Sequence, residues 1–175
     1  MNSKHWIYLL ILMAICCFGL CCKGKRNTSI SVETVQKRGS IDEAKKKKLI
    51  GELSTNKRHQ IVPVGQFFDG NNDLGSIGCN LLDHPGIDRF REILVGLSKQ
   101  NNIEAIYVDI SEIDPGKGSW PFTDLVIVAG MISSEDLRQT LSPLKPDEVG
   151  PAENFGVPLQ FINKHKGPML AAWWD

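Results

Sequence analysis

The chain has 175 residues, enough for one domain with short appendages. Hydrophobic residues make up 42% and charged residues 23%, which is typical of globular proteins and excludes a wholly disordered chain. The formal net charge of zero hides an asymmetry, because residues 1–60 hold 12 Lys/Arg against 4 Asp/Glu, whereas residues 61–175 hold 8 against 16. The acidic second part would repel phosphates, so we expect no nucleic-acid binding.

An apolar segment of 17 residues without a charge, residues 6–22, lies between basic residues on both sides. That length is near the lower limit for crossing a bilayer, and it also fits the core of a signal peptide. Residues 1–26 are therefore predicted to be an apolar helix that serves as a signal peptide or membrane anchor. The expected location is the membrane, as a single-pass anchor or a lipoprotein, or outside the cell if residues 1–21 are cleaved.

Four of the five cysteines lie in or beside this apolar segment. The residues before Cys16 and Cys21 match a lipoprotein signal poorly, and paired cysteines beside a membrane are also sites of reversible acylation. Only Cys79 lies further along the chain, so no internal disulfide can brace the domain. The pattern leaves open on which side of the membrane the rest of the chain lies.

Residues 27–59 are predicted to be a basic polar linker, with a weak helix over residues 41–53. The run of four lysines at residues 45–48 has two interpretations. It could hold the linker against anionic headgroups, or it could be a solvated spacer, as most charge runs are. Residues 60–175 are predicted to form a single acidic α+β domain.

Hydrophobic periodicity predicts six elements in this domain and an optional seventh, a terminal strand. Apolar residues at spacings of three and four indicate two amphipathic helices, and runs of β-branched residues indicate the strands. The predicted elements are a strand at 61–64, a helix at 87–97 capped by Asp83, strands at 103–110 and 125–129, a helix after Ser133 or Ser134, and strands at 158–162 and 169–174. This β-α-β-β-α-β order favours a ferredoxin-like fold, with a two-layer antiparallel sheet and both helices on one face.

The polar loop near residue 70 resembles the start of a calcium loop, because Asp69, Asn71 and Asp73 stand at alternate positions. Leu74 occupies the position that needs a glycine, and Asn80 stands where a bidentate glutamate should close the site. The favoured interpretation is a tight turn that uses Asp, Asn and Gly for their tolerance of positive φ. No metal site and no cofactor are predicted, with this calcium site as the alternative.

Cys79 and His84 form the one thiol–imidazole pair that is close in sequence, and Asp83 is adjacent. A cysteine nucleophile needs a base within hydrogen-bond reach and a third group to orient that base. These residues define the alternative function, a small Cys/His-dependent hydrolase. A free cysteine is more often a small buried hydrophobe, so the sequence favours a protein that is not an enzyme.

Aromatic and acidic residues of the acidic part are the candidate contacts for a partner. Adjacent residues on a strand face opposite sides, so one of the two terminal tryptophans should pack inward and the other outward. The predicted contacts are Trp120, Phe122, Trp173, Trp174, Asp109, Glu112, Asp114 and Asp124.

A small, acidic α+β domain without catalytic motifs is similar in profile to a bacterial immunity protein, which neutralises a toxin by occupying its active surface. An acidic surface suits a basic partner and steers its association. The sequence therefore predicts a membrane-targeted module that binds a basic protein, and residues 6–22 are its contact with the membrane.

Overall fold

The computed structural model describes residues 40–53 and 57–175. Over these residues the chain forms one five-stranded antiparallel sheet in the order β1-β2-β3-β5-β4. The strands are β1 Ile61–Pro63, β2 Ile103–Glu112, β3 Phe122–Gly130, β4 Glu148–Pro151 and β5 Met169–Trp173. The α-helices are α1 Glu43–Glu52, α2 Val64–Phe68, α3 Ile87–Leu97, α4 Ser134–Leu141 and α5 Leu159–Ile162.

Most of the helices and strands predicted from hydrophobic periodicity are confirmed. Four predicted strands correspond to β1, β2, β3 and β5, and the two amphipathic helices correspond to α3 and α4. Ser133 caps α4 as one of the two predicted caps, since its side chain accepts the Asp136 N–H. The weak helix at residues 41–53 corresponds to α1, where Asp42 caps the first turn.

Two local predictions are wrong, and one strand is missing from the prediction. Residues 158–162 form the helix α5 and not a strand, because the Pro158 carbonyl accepts hydrogen bonds from both Phe161 and Ile162. Asp83 does not cap α3, which starts after Gly86 at a φ of 98°, and the Asp83 carboxylate pairs with Lys145 instead. The strand β4 was not predicted, since four residues that include a glycine and a proline carry little strand signal.

The α+β class is confirmed, but the ferredoxin-like order is not. A split βαβ unit holds its two strands parallel with a third strand between them. Here β1 pairs directly with β2 and the pair is antiparallel, with Val62 opposite Val108. Consecutive strands β2 and β3 also pair, so the sheet is mainly built from chain neighbours.

The first face of the sheet carries the main core. One row of small and β-branched residues crosses all five strands on this face, and α1, α2, α3 and α4 cover it. Phe90 and Leu94 of α3 and Leu137 of α4 have no exposed surface. Both amphipathic helices therefore pack on one face, where they bury a continuous core. The row is Val62, Val108, Val126, Ala172 and Val149.

The second face is covered only in part, by the segment 152–162 that contains α5. Phe161 packs edge-on against Tyr107, and both rings lie against His165. The Glu104 carboxylate accepts hydrogen bonds from His165 and from the Lys166 N–H, and these bonds fix the chain that leads into β5. At the end of the second face that contains Asp109, a cavity opens beside Asn154 and Phe155 of this segment.

The helix α1 lies inside the range predicted to be a linker, yet it is part of the same compact unit as the sheet. Its Leu49 is buried in the main core. Lys46 is also buried, and its ammonium donates to the Gly116 carbonyl at 2.6 Å. Of the four consecutive lysines, Lys45 pairs with Asp69, while Lys47 and Lys48 are exposed.

The predicted membrane segment at residues 6–22 lies outside the described residues, as do the rest of residues 1–26 and the first part of the predicted linker. Among the helices that the structure does describe, none combines the length and apolar character needed to cross a membrane.

Candidate functional site

A cavity of about 480 Å³ opens at the end of the second face. The strand register places one row of side chains across its floor, from Asp109 on β2 through Leu125 on β3 and Trp173 on β5 to Glu148 on β4. Directly opposed residues hold their Cβ atoms about 5 Å apart on the same face. The row therefore has a carboxylate at each end and two apolar side chains, Leu125 and Trp173, between them. The lining of the cavity includes Arg58, His59, Asp124, Asn154 and Phe155 as well.

At one end of the row, His59 and Asp109 form a pair. The His59 Nδ1 lies 2.6 Å from one carboxylate oxygen of Asp109, and the Gln60 N–H donates to the other at 2.8 Å. Both side chains are largely buried, with 22% and 12% of their surfaces exposed. The two bonds hold residues 59 and 60 against β2 and satisfy both oxygens of Asp109 before any ligand binds.

The other two carboxylates of the cavity, unlike Asp109, have no bonding partner among the described residues. The side chains of Asp124 and Glu148 make no hydrogen bond or ion pair with any residue in the described part of the chain. Glu148 is exposed and Asp124 is half-buried. A carboxylate without a partner at the wall of a cavity can accept hydrogen bonds from a cationic group of a ligand.

The two terminal tryptophans face opposite sides of the sheet, as predicted. Trp174 is 2% exposed on the first face, where its indole N–H donates to the Leu144 carbonyl at 2.7 Å. Trp173 is half-buried on the second face and lines the cavity. Of these two tryptophans, Trp173 is the one that offers its aromatic surface to a ligand.

The structure brings together three of the eight predicted contacts, namely Asp109, Asp124 and Trp173, at this cavity. Trp120 is 1% exposed and Trp174 is buried, so neither indole is an exposed contact. Glu112 and Phe122 line a separate cavity of about 320 Å³, beside the wall formed by Trp120. Asp114 lies 3.4 Å from the Lys46 ammonium.

Sequence reasoning missed His59, Glu148, Asn154 and Phe155. Glu148 belongs to β4, which has almost no strand signal, and its neighbour in the row is Trp173, 25 positions later in the chain. His59 stands two residues before β1, at the end of the predicted linker. A strand assignment for residues 148–151 is the one signal that could have led to Glu148.

The alternative catalytic residues do not form a thiol–base pair. Cys79 is exposed, and its thiol lies 3.6 Å from the Asn80 side-chain oxygen. The His84 Nδ1 accepts the Gly86 N–H at 2.9 Å, so the ring proton is on Nε2, which donates to the Ile77 carbonyl at 2.8 Å. Both nitrogens are occupied and neither faces the thiol. Lys145 holds the pKa of the Asp83 carboxyl below its usual value, by a hydrogen bond first and by charge second.

The loop with the calcium-like spacing is held by its own hydrogen bonds. Asp69 pairs with Lys45 at 2.7 Å, and the buried Asn71 bonds Ser76 and the Asp73 N–H. Asp73 accepts the Gly75 N–H and the Trp120 N–H. In residues 40–53 and 57–175 no group of three or more acidic, histidine or cysteine side chains is arranged to hold a metal ion.

The fold and the cavity define a small α+β domain with an open site, partly acidic and partly aromatic, on a five-stranded antiparallel sheet. Residues 39–168 match the family described as "Uncharacterized protein YfbO family", so the chain belongs to the YfbO family. It is also similar to the "Uncharacterized protein YfbO" of Escherichia coli (strain K12), with 23% identity over 117 residues that cover 66% of this chain and 82% of that protein. No solved structure matches the chain.

Proposed function

We propose that this protein is a membrane-targeted binding module that recognises a basic protein partner through the cavity of the second face. The observation that carries the proposal is the pair of unpartnered carboxylates, Asp124 and Glu148, beside the half-buried Trp173. An open site with an aromatic surface and two carboxylates that form no ion pair suits a cationic side chain of a partner. An immunity-type role, in which the module covers the active surface of a basic toxin, fits this chemistry.

Long-range charge favours the same kind of partner. Residues 61–175 carry twice as many acidic as basic residues, so their field attracts basic proteins and speeds their association. Six of the 12 basic residues in residues 1–60 lie at residues 4–38, on both sides of the proposed membrane segment at residues 6–22, where anionic headgroups attract them. The charge asymmetry thus separates attachment to the membrane from recognition of the partner.

The test is chemical crosslinking of the full-length chain in membranes of its native host, followed by identification of the crosslinked protein. The wild type is compared with the double variant Asp124→Asn, Glu148→Gln, and with the control Glu92→Gln, Glu135→Gln. The control removes the same charge from α3 and α4, which cover the opposite face.

We expect the chain in the membrane fraction and one partner with an excess of Lys and Arg. Its recovery should fall about tenfold with the cavity variant, equivalent to about 1.4 kcal/mol, and should be unchanged with the control. Recovery of the partner at equal levels with both variants would contradict the proposal, as would finding no partner.

A further inference from the structure

We infer that the group bound in the cavity is the guanidinium of an arginine side chain, which stacks on Trp173 and donates to Glu148. This inference rests on the proposed function, since it specifies which basic residue of the partner enters the site. Three features of the described residues carry it: the register of β4 and β5, the surroundings of the cavity, and the state of its charged groups.

The register places the aromatic surface and the acceptor side by side. Trp173 on β5 is the direct partner of Glu148 on β4, so both side chains lie on the second face with Cβ atoms about 5 Å apart. A planar cation on the indole face is then within reach of the carboxylate on the next strand. Guanidinium suits this arrangement because it stacks on aromatic rings and donates two parallel N–H bonds to a carboxylate.

Lysine fits the same arrangement less well. Its ammonium is a compact and strongly hydrated charge with no plane to stack, so it gains less from the indole of Trp173. It would also make a single-point contact with Glu148 where arginine makes two. The site should therefore prefer arginine over lysine at equal charge.

The remaining lining suits the rest of an arginine side chain. The volume of about 480 Å³ lies in the range of about 300–1,000 Å³ typical of ligand sites. Phe155 provides an apolar surface for the methylene stem, and Asp124 adds a second acceptor. Asp109 is less available to the ligand than Glu148, because each of its two oxygens already bonds His59 or the Gln60 N–H.

One residue of the chain opposes the ligand. Arg58 is exposed at the same cavity and makes no ion pair within the described residues. Its positive charge should repel a cationic ligand, and its removal should strengthen binding. A substitution of Arg58 is therefore expected to increase the affinity for the ligand. Misfolding of the variant would lower the affinity and so cannot explain such an increase.

The experiment is calorimetric titration of the full-length chain, held in lipid nanodiscs, with two six-residue peptides. One peptide carries three arginines and the other carries three lysines at the same positions. The variants are Trp173→Leu, Trp173→Phe, Glu148→Gln and Arg58→Gln, and Glu92→Gln serves as the control of equal charge change. Circular dichroism checks that each variant is folded.

We expect the arginine peptide to bind about tenfold more tightly than the lysine peptide. Trp173→Leu should abolish that preference, Trp173→Phe should keep part of it, and Glu148→Gln should weaken the arginine peptide about tenfold. Arg58→Gln should strengthen both peptides a few-fold, and Glu92→Gln should change neither.

Equal binding of the two peptides, or a preference that survives Trp173→Leu, would overturn the inference. The proposed function would still stand in that case, since it requires only a basic partner that depends on Asp124 and Glu148. Binding of neither peptide would also overturn the inference. The crosslinking test of the proposed function is independent of this titration and fails only if no such partner is recovered.

Discussion

The two faces of the sheet differ in how completely they are covered. Helices α1 to α4 close the first face, and Phe90, Leu94 and Leu137 there have no exposed surface. Within the described residues, the second face is covered by the segment 152–162 and His165, and its open end holds charged and half-buried aromatic side chains. The difference suggests that the first face supplies stability and the second supplies recognition, so changes at the two faces should have separable effects.

The largest expected effect is a loss of stability on the first face. Phe90→Ala removes a fully buried ring that packs against Trp174 at a centroid distance of 5.5 Å, and it should cost about 3–5 kcal/mol. Phe155→Ala, on the half-covered second face, should cost only about 1 kcal/mol, because less apolar surface is lost. Urea unfolding measures both. Equal costs would contradict the division between the faces.

A smaller loss is expected where α1 meets the sheet domain. Gly70 has a φ of +86°, and a Cβ there would lie 2.8 Å from the Asp42 Cβ and 2.9 Å from the Lys45 Cδ. Gly70→Ala must therefore push away the start of α1 and weaken the Asp42 N–H bond to the Gly70 carbonyl. We expect a cost of about 1–3 kcal/mol and faster amide exchange in α1.

The matched control for this change is Gly65→Ala in α2, where the new Cβ would meet no other described part of the chain within 4 Å. It should be neutral or slightly stabilising, since alanine favours a helix over glycine. If amide exchange in α1 is unchanged by Gly70→Ala, this helix is not held by its contact with Gly70.

The smallest expected effect concerns acid stability on the second face. The Lys166 N–H and the His165 ring donate to Glu104, and these bonds hold the pKa of its carboxyl below the usual value. Ionised Glu104 therefore stabilises the fold above its usual pKa of about 4.3, and that contribution is lost as pH falls through the lowered pKa. Glu104→Gln should be less stable than the wild type at pH 7, with a difference that shrinks toward pH 3 in urea unfolding. A difference that does not depend on pH would contradict this account.

Much of the secondary structure could be predicted because its signals are local. The stripe from Ile87 to Leu97 has the period of a helix, and the β-branched runs of β2 and β3 are typical of strands. The opposite orientations of Trp173 and Trp174 follow from strand geometry alone. These features depend on residues close together in the chain.

The strand order and most of the site could not be predicted, because they depend on pairings between distant residues. The ferredoxin-like order assumed that β1 and β2 would be separated by a third strand, whereas the register joins Val62 directly to Val108. His59 contacts Asp109, which lies fifty positions later in the chain. Glu148 lies opposite Trp173, although the sequence of β4 has a low propensity to form a strand. Asp109 and Asp124 are predicted contacts around the long loop, and it is this register that makes them line the same cavity as Glu148 and Trp173.

The most direct test of the central claim is NMR of the tryptophan indole N–H signals during titration of the full-length chain with the arginine peptide. Trp173 lines the open cavity, whereas the indole of Trp174 is buried and bonded to Leu144. We predict that the Trp173 signal shifts with saturation while the Trp174 signal stays in place. A Trp173 signal that does not move at saturating peptide would contradict the claim that the second face is the recognition site.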